Sequence, residues 1–353
     1  MVATAQAVTG GGVGLSLLDR SRTRAGEPDA DALTGTVERA VRAERLGYDR
    51  FFVAEHHGVP GVAGASPAVL LAAIAGRTTS IRLGSAGVML PHHQPLVVAE
   101  QFAMLSAFAP GRVDLGLGRS PGFTAPVRRA LREHETDFAA DLAELRAYLA
   151  GTAEITARPR PAAPVPMTVL ATRRGLAVAA ALGLPVIVGG PLLGVGGDPA
   201  PGLAALARYR DEYRPSAEHP EPAVAVSLDV LVAGTAARAQ ELLLPEAWAM
   251  AQARTTGTFP PLEPLDAVRA HPRTQTQERY VAETTAAAIA GTPAEVADRL
   301  GDLLDRTGAG ELVASSSTFD RRALAESDAA LAELFGRQSV AGSAAASSAP
   351  SGA

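Results

Sequence analysis

The sequence predicts an α/β chain folded as a (β/α)8 TIM barrel, and three observations lead there. Short β-branched runs alternate with Ala-, Leu-, Arg- and Glu-rich segments of helical period, the pattern of a parallel sheet with crossover helices. Eight strand-like runs can be read along the chain. Its 353 residues hold one barrel of about 250 residues with room for additions. An open doubly wound sheet would also alternate; element count and length favour the closed barrel.

Residues 13–18 read as the first strand. Residues 31–46 are helical, with Leu33, Val37, Ala40, Val41 and Leu46 near one face, and Gly47 stops the helix. Residues 50–54 form a second strand. Ser66-Pro67 then opens a helix as an N-cap followed by Pro at N1, ending by Arg77. A third strand is expected over 81–90, a helix over 95–108 and a fourth strand over 112–117. One long helix is expected over 126–149. Later strands read at 167–171, 185–188, 223–232 and 311–314, with helices at 175–182, 203–213, 236–250, 293–306 and 321–335. Residues 254–280 are rich in Thr, Pro and Gln with weak periodicity. They form an insertion before the last helix–strand unit, either a lid or a surface excursion. Residues 338–353 are Ser, Ala, Gly and Pro for the most part and read as a disordered tail after a single domain over 1–337.

Composition removes whole classes of chemistry. There is no cysteine, which excludes disulfides, thiolate nucleophiles and cysteine-ligated metals. There is no lysine either, so all 32 basic residues are Arg; Schiff-base catalysis and a P-loop lysine are excluded. A net charge of -5 with no basic block, and only 4% aromatic residues, argue against nucleic-acid binding. The first ten residues lack the basic and apolar regions of a signal peptide, and no run reads as membrane-spanning, so a cytoplasmic location is expected.

In an α/β barrel the active site forms where the strands end. Glu55-His56-His57 follows strand two and His92-His93 follows strand three, so four of the seven histidines fall on neighbouring strand ends. A shared metal is disfavoured, because consecutive residues of an extended segment face opposite ways and no H-x-H or H-E-x-x-H spacing occurs; no metal site is expected. His92 and His93 read as a solvated turn between Pro91 and Pro95. After strand four, the loop 116–122 runs G-x-G-R-x-x-G, whose Gly118 permits close backbone approach to a planar ligand while Arg119 adds fixed charge. After strand five, Thr172-Arg173-Arg174-Gly175 opens a helix. Free N–H groups, a hydroxyl and two guanidinium groups there make a monophosphate site.

These residues sit in segments that resemble the luciferase-like monooxygenases. The match runs through LSLLDRS (15–21), FFVAEHHGVP (51–60), IRLGSAGVML (81–90), PHHQPLVVAEQ (91–101) and FAPGRVDLGLG (108–118), in order and at the right spacing, and returns at 291–314. It looks closest to the single-chain branch associated with biosynthetic gene clusters. The resemblance implies a barrel that takes reduced FMN from a separate flavin reductase and uses O2 to oxygenate a small organic substrate. It also implies a homodimer. His56 matches the family's active-site histidine and, at an unperturbed pKa near 6.5, would move a proton. Arg119 and Thr172 match phosphate-binding positions, with Arg173 and Gly175 beside them. Gly87-Val88 matches a non-proline cis peptide behind the flavin ring. Two departures stand out: Arg173-Arg174-Gly175 replaces the family's usual Ser or Tyr, and residues 189–197 lack the expected His and aromatic side chains. A reduced-deazaflavin hydride transferase on the same fold, a non-catalytic flavin-binding protein and a metal hydrolase are the competing functions.

Overall fold

The computed structural model describes residues 12–122, 124–132 and 137–337; the tail expected over 338–353 lies outside them. The chain begins β1 (Gly14–Asp19), α1 (Asp29–Arg45), β2 (Arg50–Val53), α2 (Pro67–Ala75), β3 (Arg82–Ser85), β4 (Val88–Met89) and α3 (Pro95–Phe108). It continues with β5 (Val113–Gly118), α4 (Ala125–Ala130), α5 (Phe138–Ala150), β6 (Met167–Ala171), α6 (Arg173–Leu182), β7 (Val186–Gly189) and α7 (Ala200–Asp211). The last third is β8 (Val224–Leu228), β9 (Val230–Val232), α8 (Ala236–Thr256), α9 (Leu265–Ala270), α10 (Gln275–Ala286), β10 (Ile289–Gly291), α11 (Pro293–Thr307), β11 (Glu311–Ala314) and α12 (Arg321–Leu334).

The main sheet runs β3-β2-β1-β11-β8-β7-β6-β5-β4, every pairing is parallel, and β3 also pairs with β5. That last pairing closes the ring into the expected barrel. With β3 and β4 counted as one interrupted strand, eight strands surround an interior of Phe52, Ala86, Ile187, Ala225 and Val313. The larger apolar layer lies between barrel and helices, where Leu15, Leu71, Phe102, Val169 and Leu312 are fully buried. The N-terminal end of the barrel is plugged by charge: Arg50 reaches Glu311 (2.7 Å) and Asp114 (3.3 Å), and Arg82 grips Asp114.

Four expectations need correction. The strand expected over 81–90 breaks in the middle, where the chain leaves the ladder between Ser85 and Val88; the Ala86-Gly87 bond there is cis. The helix expected over 126–149 is two helices; Leu131 ends α4, and Asp137 caps α5 by accepting from the N–H groups of Ala139 and Ala140. The strand expected over 223–232 divides at Asp229, after which β9 leaves the barrel and pairs with β10. The insertion is ordered helix. Thr274 and Gln277 form a capping box on α10, and α8 carries Trp248, which stacks on His271 at 5.1 Å. Its leading segment is fastened to the barrel rim, where the N–H of Leu262 donates to the Thr23 carbonyl (2.9 Å) and Gly61 to Phe259 (2.8 Å).

Buried ion pairs join the elements near the same rim. Arg39 of α1 forks onto Asp328 of α12 with two 2.8 Å bonds and reaches Asp19 of β1 at 3.1 Å. Removing one partner from a buried pair of this kind costs about 3–5 kcal/mol. One outer face is apolar instead: Val69 of α2 and Val97, Met104 and Phe108 of α3 are exposed, Phe108 at 65%. Among the described residues no helix is long and apolar enough to cross a membrane.

Candidate active site

A cleft of about 600 Å³ opens at the C-terminal ends of β2 to β6. His56, Glu55 and His57 line one side, the Ala86-Gly87 segment and Met89 the back, and Gly118, Arg119, Thr172, Arg174 and Gly175 the other side. The back wall is nearly free of side chains for steric reasons. A Cβ on Gly87 would lie 2.8 Å from the Gly116 carbonyl oxygen, and one on Gly116 would lie 2.0 Å from that of Ser85. The Ser85 hydroxyl donates to the Gly116 carbonyl (2.8 Å) and accepts from its N–H (3.0 Å), fixing β3 to β5 beneath the wall.

The histidines divide by role. Glu55 is buried, and one carboxylate oxygen accepts from Nε2 of both His57 and His93, each at 2.7 Å; the other accepts from the Met89 N–H at 3.0 Å. Burial alone would raise the Glu55 pKa, but the bonds from His57, His93 and Met89 outweigh it and hold the carboxyl at about 2. An ionised carboxylate only accepts, so each Nε2 carries its proton. Glu55 thus ties the end of β2 to the segment after β4. His93 is therefore an anchor and not part of a solvated turn, and both ring nitrogens of His92 are buried. Glu55, His57 and His93 also bring three potential metal-ligand atoms within 4.8 Å of one another.

His56 faces away from this anchor. Its Nδ1 is buried with no hydrogen-bond partner, and the ring lines the cleft. Burial first, then the neighbouring guanidinium groups of Arg20 and Arg22, lowers its pKa from 6.5 to about 4. At neutral pH the ring is an uncharged imidazole, without the protonated fraction of roughly a quarter that an unperturbed pKa would leave. Beyond it lies a buried charge network. Arg20 donates to Asp229 (2.6 Å), the Ser315 carbonyl (2.7 Å) and Glu246 (3.3 Å), while Arg22 donates to the other Glu246 oxygen (2.8 Å). The barrel mouth beside His56 is thus charged, not apolar.

Of the residues singled out in the sequence, the fold brings His56, Gly87, Gly118, Arg119, Thr172 and Gly175 to one cleft. Val88 is 3% exposed and packs into the core. Arg173 lies on the exposed start of α6, outside the lining, which Arg174 supplies instead. The cis peptide falls at Ala86-Gly87, one bond before the position expected. Thr172 is the N-cap residue of α6, yet its hydroxyl makes no capping bond. Arg22, Asp229 and Glu246 escaped the sequence reading. Asp229, a lone acid inside an apolar strand-like run, carried a signal that could have found it.

The model of the luciferase-like monooxygenases matches residues 12–311. The chain belongs to this family of oxidoreductases. It is 33% identical over 325 residues to a luciferase-like monooxygenase of Escherichia coli strain K12, covering 88% of this chain and 93% of that one. It is similar to the crystal structure of apo-MsnO8, at 32% identity and TM-score 0.82, covering 93% of this chain and 99% of the other. Two structures at 15% identity share the fold alone. One is the oxygenating constituent of 3,6-diketocamphane monooxygenase of Pseudomonas putida in complex with FMN, at TM-score 0.67 and covering 91% and 97% of the two chains. The other is an F420-dependent secondary alcohol dehydrogenase, at TM-score 0.63 and covering 92% and 99%. Relatives on this luciferase-like fold therefore include both FMN and F420 proteins.

The electrostatics of His56 predict a titration. Its folded pKa lies below its unfolded value, so the unfolded chain takes up a proton first as pH falls. Above about 6.5 the group leaves stability unaffected; between 6.5 and about 4 it removes up to about 1.4 kcal/mol per pH unit. In an NMR titration the His56 resonance, assigned through His56→Ala, should move near pH 4. Arg20→Met removes a cation and should bring the midpoint upward. A wild-type midpoint near 6.5 would contradict this electrostatic reading.

Proposed function

We propose that this chain is a flavin-dependent monooxygenase that uses reduced FMN, delivered by a separate flavin reductase, and O2 to oxygenate a small organic substrate. The observation that carries the reading is the pairing of two unlike environments across one cleft. On one side the unused Thr172 hydroxyl stands at the N-terminus of α6 beside Arg174 and Arg119. The first turn of that helix holds no acidic residue, and its free N–H groups and dipole suit a phosphate monoester. On the other side stands neutral His56.

The donor set fits FMN. Thr172, Arg119 and Arg174 would hold the phosphate, with Gly175 leaving the helix start uncrowded. The bare wall at Ala86-Gly87, with Gly118, would take the flat ring system, since a Cβ on Gly118 would meet nothing nearer than 3.7 Å. Reduced FMN supplies the electrons that activate O2. The chain supplies orientation, exclusion of water and one proton-handling group. His56, uncharged, accepts or shares a proton at a ring nitrogen facing the cleft. Glu55 fixes the back wall by accepting from the Met89 N–H, and His57 and His93 hold Glu55 in place. A deazaflavin-dependent hydride transferase is the second reading; the exposed Arg173 next to Arg174, one cation more than a monophosphate cradle needs, favours it.

We also propose a homodimer joined through α2 and α3. Val97, Met104 and Phe108 fall at i, i+7 and i+11 on α3, and with Val69 they make an exposed apolar stripe.

Two outcomes follow. His56→Ala should retain FMN binding, read by flavin fluorescence, while substrate oxygenation falls about 10²–10⁴-fold; unchanged turnover would remove His56 from the chemistry. Phe108→Glu should elute as a monomer in size-exclusion chromatography with light scattering where the native chain elutes as a dimer. A native chain that is already monomeric would contradict the assembly.

A further inference from the structure

Beside the buried Arg39–Asp328 pair, α1 and α12 flank an opening to the surface. A cleft of about 300 Å³ lies there, and none of its lining belongs to the cleft under His56. Six arginines line it against two carboxylates, Asp19 and Glu38. Four of the six are paired with a carboxylate. Among the described residues, Arg24 and Arg42 have no such partner.

Arg24 is only 8% exposed. Its donors reach carbonyl oxygens alone, those of Phe319 and Thr318 at 2.8 Å and Arg22 at 3.3 Å. Burial first, then Arg321 beside it, draws its pKa down to about 10. Across the cleft, Nε of Arg42 is buried with no hydrogen-bond partner. A buried guanidinium without a counter-charge carries an uncompensated desolvation cost, and an unmade N–H bond adds to it. Both are relieved by one kind of ligand. The planar fork of arginine matches the oxygens of carboxylate and phosphate groups, and the cleft has space for a small one.

We propose that the cleft between α1 and α12 is a second binding site, for a small oxyanion, a phosphate or a carboxylate, held by Arg24 and Arg42. Arg22 lines the same cleft and pairs with Glu246. The site therefore adjoins the charge network beside His56, and it goes beyond the proposed oxygenation.

Calorimetric titration of the full chain tests it, with inorganic phosphate and succinate in separate runs at constant ionic strength. The protein carries Arg119→Ala and Thr172→Ala so that the phosphate position of the active cleft is silent. At least one of the two anions should bind once per chain. Arg42→Gln, at a half-buried helix position, should weaken that binding at least tenfold with an unchanged circular dichroism spectrum. Arg279→Gln, which alters an exposed arginine outside the cleft, paired with Glu283, should leave it unchanged. Phosphate binding alone identifies a tetrahedral anion, binding of both a general oxyanion site, and succinate binding alone a carboxylate site; each supports the proposal. Failure of both anions to bind, binding that Arg42→Gln does not weaken, or equal weakening by Arg279→Gln overturns it.

Discussion

Closure of the barrel brings β3 against β5 at a point where no side chain fits. Gly84 lies under the Phe52 ring, where a Cβ would come within 2.4 Å of it, and Gly116 lies against the Ser85 carbonyl. From the Gly84–Asp114 pair to the Val88–Leu117 pair, the chain takes four steps (84 to 88) while β5 takes three (114 to 117). The extra residue has to leave the ladder, as in a bulge, and β3 stops where β4 begins. That interruption produces the flat backbone wall of the cleft. Close packing inside the barrel and a bare surface at its mouth are consequences of one steric constraint.

Electrostatics then separates two histidines that are adjacent in sequence. His57 turns to Glu55 and helps anchor the wall, whereas His56 turns to the cleft near Arg20 and Arg22. Four charged side chains, Arg20, Arg22, Asp229 and Glu246, pair with one another in the rim, and burial, then the guanidinium groups of Arg20 and Arg22, keep His56 deprotonated. Such a network is costly to desolvate and persists where its members satisfy each other's bonds. The placement of Glu246 in α8 gives that helix a second task, since it fastens the inserted helices to the chemistry.

Much of this was legible in the sequence, for identifiable reasons. The β-branched runs, the helical periods and the Ser66-Pro67 helix start made the order of elements readable, because such patterns are local. His56, Gly118, Arg119 and Thr172 could be named because a barrel's strand ends share one rim. The break in the strand expected over 81–90 was not legible, since it arises from contacts between β3 and β5, and the cis bond that the resemblance put at Gly87-Val88 lies one bond earlier. The helices of the insertion stayed hidden for a similar reason: their order depends on packing against α8, and their own periodicity is weak. Arg22 and Glu246 are 224 positions apart, a separation at which no sequence pattern speaks. The choice of Arg174 over Arg173 turns on the rotation of α6 about its axis, which the tertiary packing sets.

On the proposed reading, the cleft between Thr172 and His56 takes reduced FMN. Anaerobic titration with reduced FMN and, separately, a reduced deazaflavin, followed by mixing with oxygenated buffer, tests it most directly. The account predicts one reduced FMN bound per chain, at least tenfold more tightly than the deazaflavin, and reoxidation by O2 at a rate distinct from that of free FMN. Preferred binding of the deazaflavin, or reduced FMN that reoxidises as it does free in solution, would contradict it.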